Sequence, residues 1–191
     1  MEVDMEIEWA LAHPLHDVAD IVNMADHIFG DEVQNVLTTN RLVFEKNVTI
    51  ATTVQCFDKT KEFIAVARPA NFSGTGEFNN KLLGFCWFDR YGYTTYSNEE
   101  ISNAKFHHVD LALPAKLRVK LLNAMIDQHI LWAYHNGIPI ICSTSIRADH
   151  NGFMRIHAKR GFEVKGSYAW IKTKYGLNGI KGIEIGSSQA S

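Results

Sequence analysis

The chain has 191 residues, of which 46% are hydrophobic and 21% charged, a composition ordinary for one globular domain with a real core. Its net charge of −2 gives no electrostatic case for a nucleic-acid or anionic-membrane partner. No apolar run approaches the length of a membrane span, and the acidic start MEVDMEIE is unlike a signal peptide, so a cytoplasmic setting is expected. The cysteines Cys56, Cys86 and Cys142 are odd in number and form no CxxC pair, which points to reduced, buried thiols. No internal repeat is visible.

The segment 6–11 reads as an edge strand, and a helix opens between Pro14 and Asp17. Val18, Ile21, Val22, Ala25, Ile28 and Phe29 recur at helical spacing before a stop at Gly30. A second helix is expected near Asp31, carrying Val33, Val36 and Leu37. Within 40–57, Leu42, Val43 and Phe44 suit a helix whereas VTIATTVQCF suits a strand; the reading favours helix. EFIAVA (62–67) and KLLGFCWFD (81–89) form a strand hairpin across a loop rich in glycine and asparagine. Residues 90–105, with Tyr91, Tyr93 and Tyr96, read as a polar loop that could line an acceptor site or an interface.

From Phe106 the pattern is strand (106–113), a helix opened by Pro114 and ended at Asn136-Gly137, then a buried strand (138–144). A helix (149–160) closed by Gly161 and a last strand (162–173) complete it. Two parallel strands joined by a crossover helix satisfy the right-handed connection rule. Residues 175–191 alternate glycine with Ile180, Ile183 and Ile185 and read as an extension beyond a domain spanning 1–174. His107 and His108 are adjacent on a strand and face opposite ways. With no HxxxH, HExxH or spaced Cys/His set, no metal site is expected.

Asn151, followed ten residues later by Gly161-Phe162 and a strand, completes an order that resembles the second half of an acetyltransferase of the GNAT superfamily. The resemblance implies an α+β domain: a central, mostly antiparallel mixed sheet flanked by helices, with 106–113 and 138–144 parallel and diverging at one end. GNAT proteins hold the pyrophosphate of acetyl-CoA with a glycine-bearing loop (Q/R-x-x-G-x-G/A) and the N-terminus of the following helix, where unpaired N–H groups and the dipole favour an anion. Leu111-Ala112-Leu113 matches the strand before that loop, and 121–126 matches the helix body. Between them PAKLRVK has no glycine and is short, so Lys116 and Arg118 fall where the glycines belong.

If an acyl-CoA binds, the resemblance gives Lys116, Leu117, Arg118 and Asn151 as the residues placed to hold it. Lys116 and Arg118 would then replace lost amides as phosphate ligands; the alternative is snorkelling or a partner contact. His157 stands where the family commonly has a tyrosine that protonates the leaving thiolate, a task open to histidine. It also shares a helical face with Phe153 and Ile156, which suits a packing role. Asp110 or His108 would supply the general base that the family draws from this strand, or else form a hydrogen-bonded pair on the sheet surface.

The PAKLRVK loop, the IICSTS strand and the GFEVKGSYAW ending look most similar to GNAT-like proteins of tailed bacteriophages. That likeness implies a non-catalytic virion component, associating with itself or with other virion proteins through 90–105 and 175–191, with no cofactor. The alternative is an acetyl-CoA-dependent N-acetyltransferase in the cytoplasm.

Overall fold

The structure, a computed structural model, describes residues 5–29, 39–70, 81–145 and 150–165. Its elements are β1 (Ile7–Leu11), α1 (Val18–Phe29), α2 (Arg41–Phe57), β2 (Glu62–Pro69), β3 (Gly84–Thr94), β4 (Ser97–Val109), α3 (Ala115–His135), β5 (Ile140–Ser143) and α4 (His150–Lys159). The helix expected near Asp31, most of the loop before Lys81, the strand expected beyond Lys165 and the 175–191 extension lie outside the described residues. Residues 162–165, where that last strand was to begin, have no regular structure.

The five strands lie in the sheet in chain order, antiparallel except for the parallel pair β4–β5. This is the α+β architecture expected, a mixed sheet with helices on both faces. Alternation along the central strands divides the core. Ile64, Val66, Phe85 and Trp87 face α1 and α2, packing with Ile21, Val22, Phe44 and Val48. Ala65, Ala67, Cys86, Phe88 and Val109 face α3, meeting Leu121, Met125 and Trp132. β2 therefore reads as an unbroken apolar run because both its faces are covered.

Residues 41–57 are helical despite their β-branched content. Asn40 Oδ1 caps the helix by accepting from the N–H groups of Leu42 and Val43 at 3.0 and 3.2 Å. The threonine hydroxyls turn back onto the helix's own carbonyls. Buried Gln55 then joins three elements: Nε2 donates to the Ala12 carbonyl at 3.1 Å, and Oε1 accepts from the Ile64 N–H at 2.6 Å.

Residues 90–105 are strand, not loop. β3 and β4 form a long hairpin that turns at Thr95-Tyr96, its distal half exposed and nearly free of apolar alternation. The cross-strand pair Arg90–Glu100 holds it, with Nε and an Nη each 2.7 Å from a carboxylate oxygen, and the Tyr91 N–H donates to the same carboxylate. The expected strand 106–113 is the end of β4, which stops at Val109. There the Asp110 N–H donates to Leu83 and the chain turns, Leu113 N–H donating to the Asp110 carbonyl. Cys86 is buried and Cys142 half-buried, but Cys56 is exposed on the outer side of α2. No described helix is long and apolar enough to cross a membrane.

β4 carries a bulge at Lys105: Trp87 pairs with Phe106 but Phe88 with Ala104. β5 pairs with β4 from Ile101 to Ala104, short of the expected stretch 106–113, and past the bulge no described strand pairs with that edge of β4.

Replacing Gln55 by Leu keeps the volume but leaves the Ala12 carbonyl and Ile64 N–H buried and unpaired. A loss of about 2–4 kcal/mol is expected, read as a lower urea midpoint at unchanged m-value.

Candidate functional site

Past the last β4–β5 pair lie the end of β4, the start of α3 and, against His107, the body of α4. On the α1 side the β4–α3 turn runs from Asp110 to Pro114. Asp110 Oδ1 accepts from the Ala112 N–H at 2.9 Å, and Oδ2 lies 2.6 Å from Lys81 Nζ. Burial would raise the carboxyl's pKa, but the hydrogen bonds from Lys81 and Ala112 outweigh it and hold Asp110 below the usual carboxylate range. With Asp20, Asn23, Met24, Lys81 and His108, Asp110 lines an open groove of about 650 Å³. Behind Asp20, Arg68 bonds both Asp17 and Asp20 at 2.8 Å. His108 is buried against Phe85, at a ring distance of 5.7 Å.

The start of α3 carries the residues expected to hold a pyrophosphate. Pro114 is its N-cap, and no side chain caps the helix. Lys116 is exposed and Arg118 half-buried, its Nε without a hydrogen-bond partner. Leu117 packs its side chain into the core on the α3 face of the sheet. No glycine lies between Asp110 and Arg118, and the turn already contains a fixed carboxylate. The residues present do not fit a diphosphate cradle, which needs close backbone approach and positive potential.

On the opposite side of the sheet lies a group that sequence reasoning did not assemble. His129 of α3 and His157 of α4 are buried, and half-buried His107 of β4 lies beside them, its ring 6.2 Å from His129 and 5.9 Å from His157. His129 stacks on Phe88 at 4.1 Å, and His157 lies edge-on to Phe153 and Phe162. The hydrogen bonds fix two tautomers. Ser102 Oγ donates to the Asp89 carbonyl, so its 2.7 Å contact with His129 requires His129 Nε2–H to donate. The Phe153 carbonyl can only accept, so His157 Nδ1 carries the proton and Nε2 keeps a lone pair. That Nε2 and the Nε2 of His107 are buried without a partner.

Burial holds all three imidazoles neutral. It pushes His129 down to about 3, helped by His157. His107 falls well below its ordinary value through burial and then through the other two histidines. His157 is lowered by burial, against a hydrogen bond to Phe153 that works the other way.

The structure thus separates the candidate acid from the candidate bases. His157 faces α3, whereas His108 and Asp110 open toward α1. His108 and Asp110 line one groove, although Asp110 sits in the turn and not on a strand. Asn151 is exposed in the first turn of α4, with its carbonyl 3.3 Å from Arg155 Nε. The Gly161-Phe162 pair is a helix stop. Gly161 has φ +87°, the Phe162 N–H donates to the His157 carbonyl, and the Phe162 ring closes onto His157. Gly137 ends α3 in the same way, at φ +65°. Ser102 and His129 are 27 positions apart, and only the strand-to-helix packing brings them together. Among the described residues no group of three His, Cys, Asp or Glu is arranged to hold a metal ion.

The described residues form a five-strand sheet with β4 and β5 parallel, a bulge in β4 where β5 ends, and helices on both faces, which is the GNAT fold. Solved GNAT-fold acetyltransferases superpose along nearly their whole length. A predicted acetyltransferase from Clostridium acetobutylicum, solved with acetyl-CoA, aligns at TM-score 0.61 and 13% identity, covering 89% of this chain and 98% of its own. The aminoglycoside 6'-N-acetyltransferase AAC(6')-Ih from Acinetobacter baumannii aligns at 0.59 and 11% identity, covering 87% and 97%. AAC(6')-Iy, in complex with the bisubstrate analogue CoA-S-monomethyl-acetylneamine, aligns at 0.59 and 10% identity with the same coverage. No family model matches the sequence, and no curated protein does.

The buried neutral histidines set a pH dependence. Their folded pKa values lie below the unfolded value near 6.5, so their contribution is fully present above pH 6.5 and is lost as pH falls toward the folded values. For His129, with a folded value of about 3, the loss by pH 5 is about 2 kcal/mol. Melting curves from pH 7 to pH 5 should show a falling midpoint, and His129→Gln should flatten that slope.

Proposed function

We propose that this protein is a GNAT-fold protein that does not transfer acetyl groups and serves as an assembly component, a virion-associated one given its likeness to GNAT-like proteins of tailed bacteriophages. The observation that carries the non-catalytic part is the β4–α3 turn. A glycine-free connection holds a carboxylate, fixed by Lys81 and the Ala112 N–H, at the mouth of the helix that would receive a pyrophosphate. Two further features agree with it. Leu117 is committed to the core, and His157 is sealed among Phe153, Phe162 and His107. The partner surfaces in this reading include the β3–β4 hairpin, whose tip exposes Tyr91, Tyr93 and Tyr96, and the 175–191 extension.

A second reading, an acetyl-CoA-dependent N-acetyltransferase, is favoured by one specific observation. His157 Nε2 is buried with no partner, at the helix position where GNAT enzymes commonly place a tyrosine, and would have to take up a proton there before it could protonate a thiolate. In that reading Lys116 and Arg118 hold phosphate and His108 or Asp110 acts as base.

Calorimetry with acetyl-CoA separates the two. The expected result is no binding or a Kd weaker than roughly 0.1 mM, less than about 5.5 kcal/mol, with no rise in melting temperature. Micromolar binding would establish the second reading. His157→Ala should then lower kcat far more than it weakens binding.

A further inference from the structure

We propose that α4 is an acid-released element: the imidazoles of His107, His129 and His157 dock it, and in mildly acidic solution it leaves the sheet while α3 and the strands stay folded. The two apolar clusters of the core draw on the strands and on α1, α2 and α3, and no described residue of α4 belongs to either. Among the described residues of α4 only His157 is buried, at 2% exposure. It lies edge-on to His107 at 5.9 Å, and Phe153 meets the same His107 ring at 5.7 Å. Phe162, beyond the helix stop, closes onto His157 at 4.9 Å. The polar link to α3 is Arg160, whose Nη2 is 2.8 Å from the Asp127 carboxylate and 3.4 Å from the Asn123 carbonyl. That ion pair is open to solvent and contributes little. At ten residues, with Gly152 in its first turn, α4 does not hold a helix alone, so its order depends on this docking.

An imidazolium in this packet finds no counter-charge. Around it stand the other two imidazoles and the rings of Phe88, Phe153 and Phe162. The carboxylates on the adjoining elements are engaged elsewhere: Asp127 of α3 by Arg160, Asp89 of β3 by Lys105, Glu100 of β4 by Arg90, and Glu163, just past α4, by Lys165. Arg118 of α3 and Arg155 and Lys159 of α4 are cations, and β5 carries no charge. Burial lowers all three pKa values, for His107 and His129 with help from neighbouring histidines, and no carboxylate raises any of them. A histidine held below its free value near 6.5 supports docking fully above that pH and progressively less as pH falls. Undocking lets His157 Nε2, buried without a partner while α4 is docked, take up a proton in water. α3 has other cohesion. Leu121, Met125 and Trp132 sit in an apolar cluster that protons do not touch, and His129 keeps its stack on Phe88 and its bond to Ser102.

Hydrogen–deuterium exchange of the full chain at pH 7 and pH 5, corrected for the intrinsic rate, tests this. The expected result is a loss of protection across 150–160 of at least about tenfold, with α3 and β3 as protected as before. His157→Asn keeps a donor for the Phe153 carbonyl but cannot take up a proton, and it should remove most of the pH effect. His135→Asn, at an exposed position on α3, should leave that effect intact. Where His157→Asn already leaves α4 unprotected at pH 7, His107→Leu decides, because it removes the imidazole on the sheet side and should shrink the pH effect on α4. Equal protection of α4 at the two pH values overturns the proposal, as does protection lost from α3, β3 and α4 together. A pH effect that survives both His157→Asn and His107→Leu, or one abolished by His135→Asn, overturns it too.

Discussion

The structure depends on how β4 divides its hydrogen bonding. On one edge it is paired with β3 from the hairpin turn to Val109; on the other it has β5 only from Ile101 to Ala104. The extra residue at Lys105 falls where β5 ends, and past it no described strand lies parallel to β4. α3 leaves from the end of that stretch, and α4 packs beside it through His157 and Phe153 onto His107. Without the bulge, pairing carried on from Ala104 opposite Phe88 would set His107 opposite Phe85 and so exchange the faces of His107 and His108, because successive side chains face opposite sides of a sheet.

The two faces of β4 meet different electrostatic demands. Toward α1 the polar groups are charged and paired: Arg68 with Asp17 and Asp20, and Lys81 with Asp110. Toward α3 they are imidazoles kept neutral by burial, together with Ser102: Ser102 and His157 donate to backbone carbonyls, and His129 donates to Ser102. An active GNAT enzyme must bring a polyanion and a basic amine together near this strand. Here a resident carboxylate stands on the anion's side and a sealed aromatic packet on the other. That is why the GNAT fold and the proposed absence of GNAT chemistry are compatible.

How much of this was legible in the sequence varied with the kind of signal. Elements with one clear period or a clean stop could be read directly: Val18 to Phe29, Pro114 to Gly137, the short run at Ile140, and the close at Gly161. Residues 41–57 were harder because their β-branched run argued for a strand; the deciding facts are the Asn40 cap and the threonines' bonds to their own helix. The β3–β4 hairpin was missed because its distal half is exposed on both sides and lacks alternation. What holds it is a ladder and the Arg90–Glu100 pair, which sequence spacing does not reveal. The histidine packet was equally hidden, since His107, His129 and His157 come from three elements and converge only when α3 and α4 dock. His108 and Asp110 could be singled out, but their separation from His157 by the sheet could not.

The strand order has a consequence for the entropy of the chain. Each described strand lies beside its neighbour in sequence, but the connections between them differ widely in length. The β3–β4 ladder closes across Thr95 and Tyr96 alone, β5 must bring in α3, and β1 must enclose both α1 and α2 before it meets β2. Because loop closure costs only about 0.6 kcal/mol for each doubling of length, the long β1–β2 excursion is cheap in free energy. The sheet can grow outward from its hairpin, with β1 as the strand whose attachment sacrifices the most chain freedom.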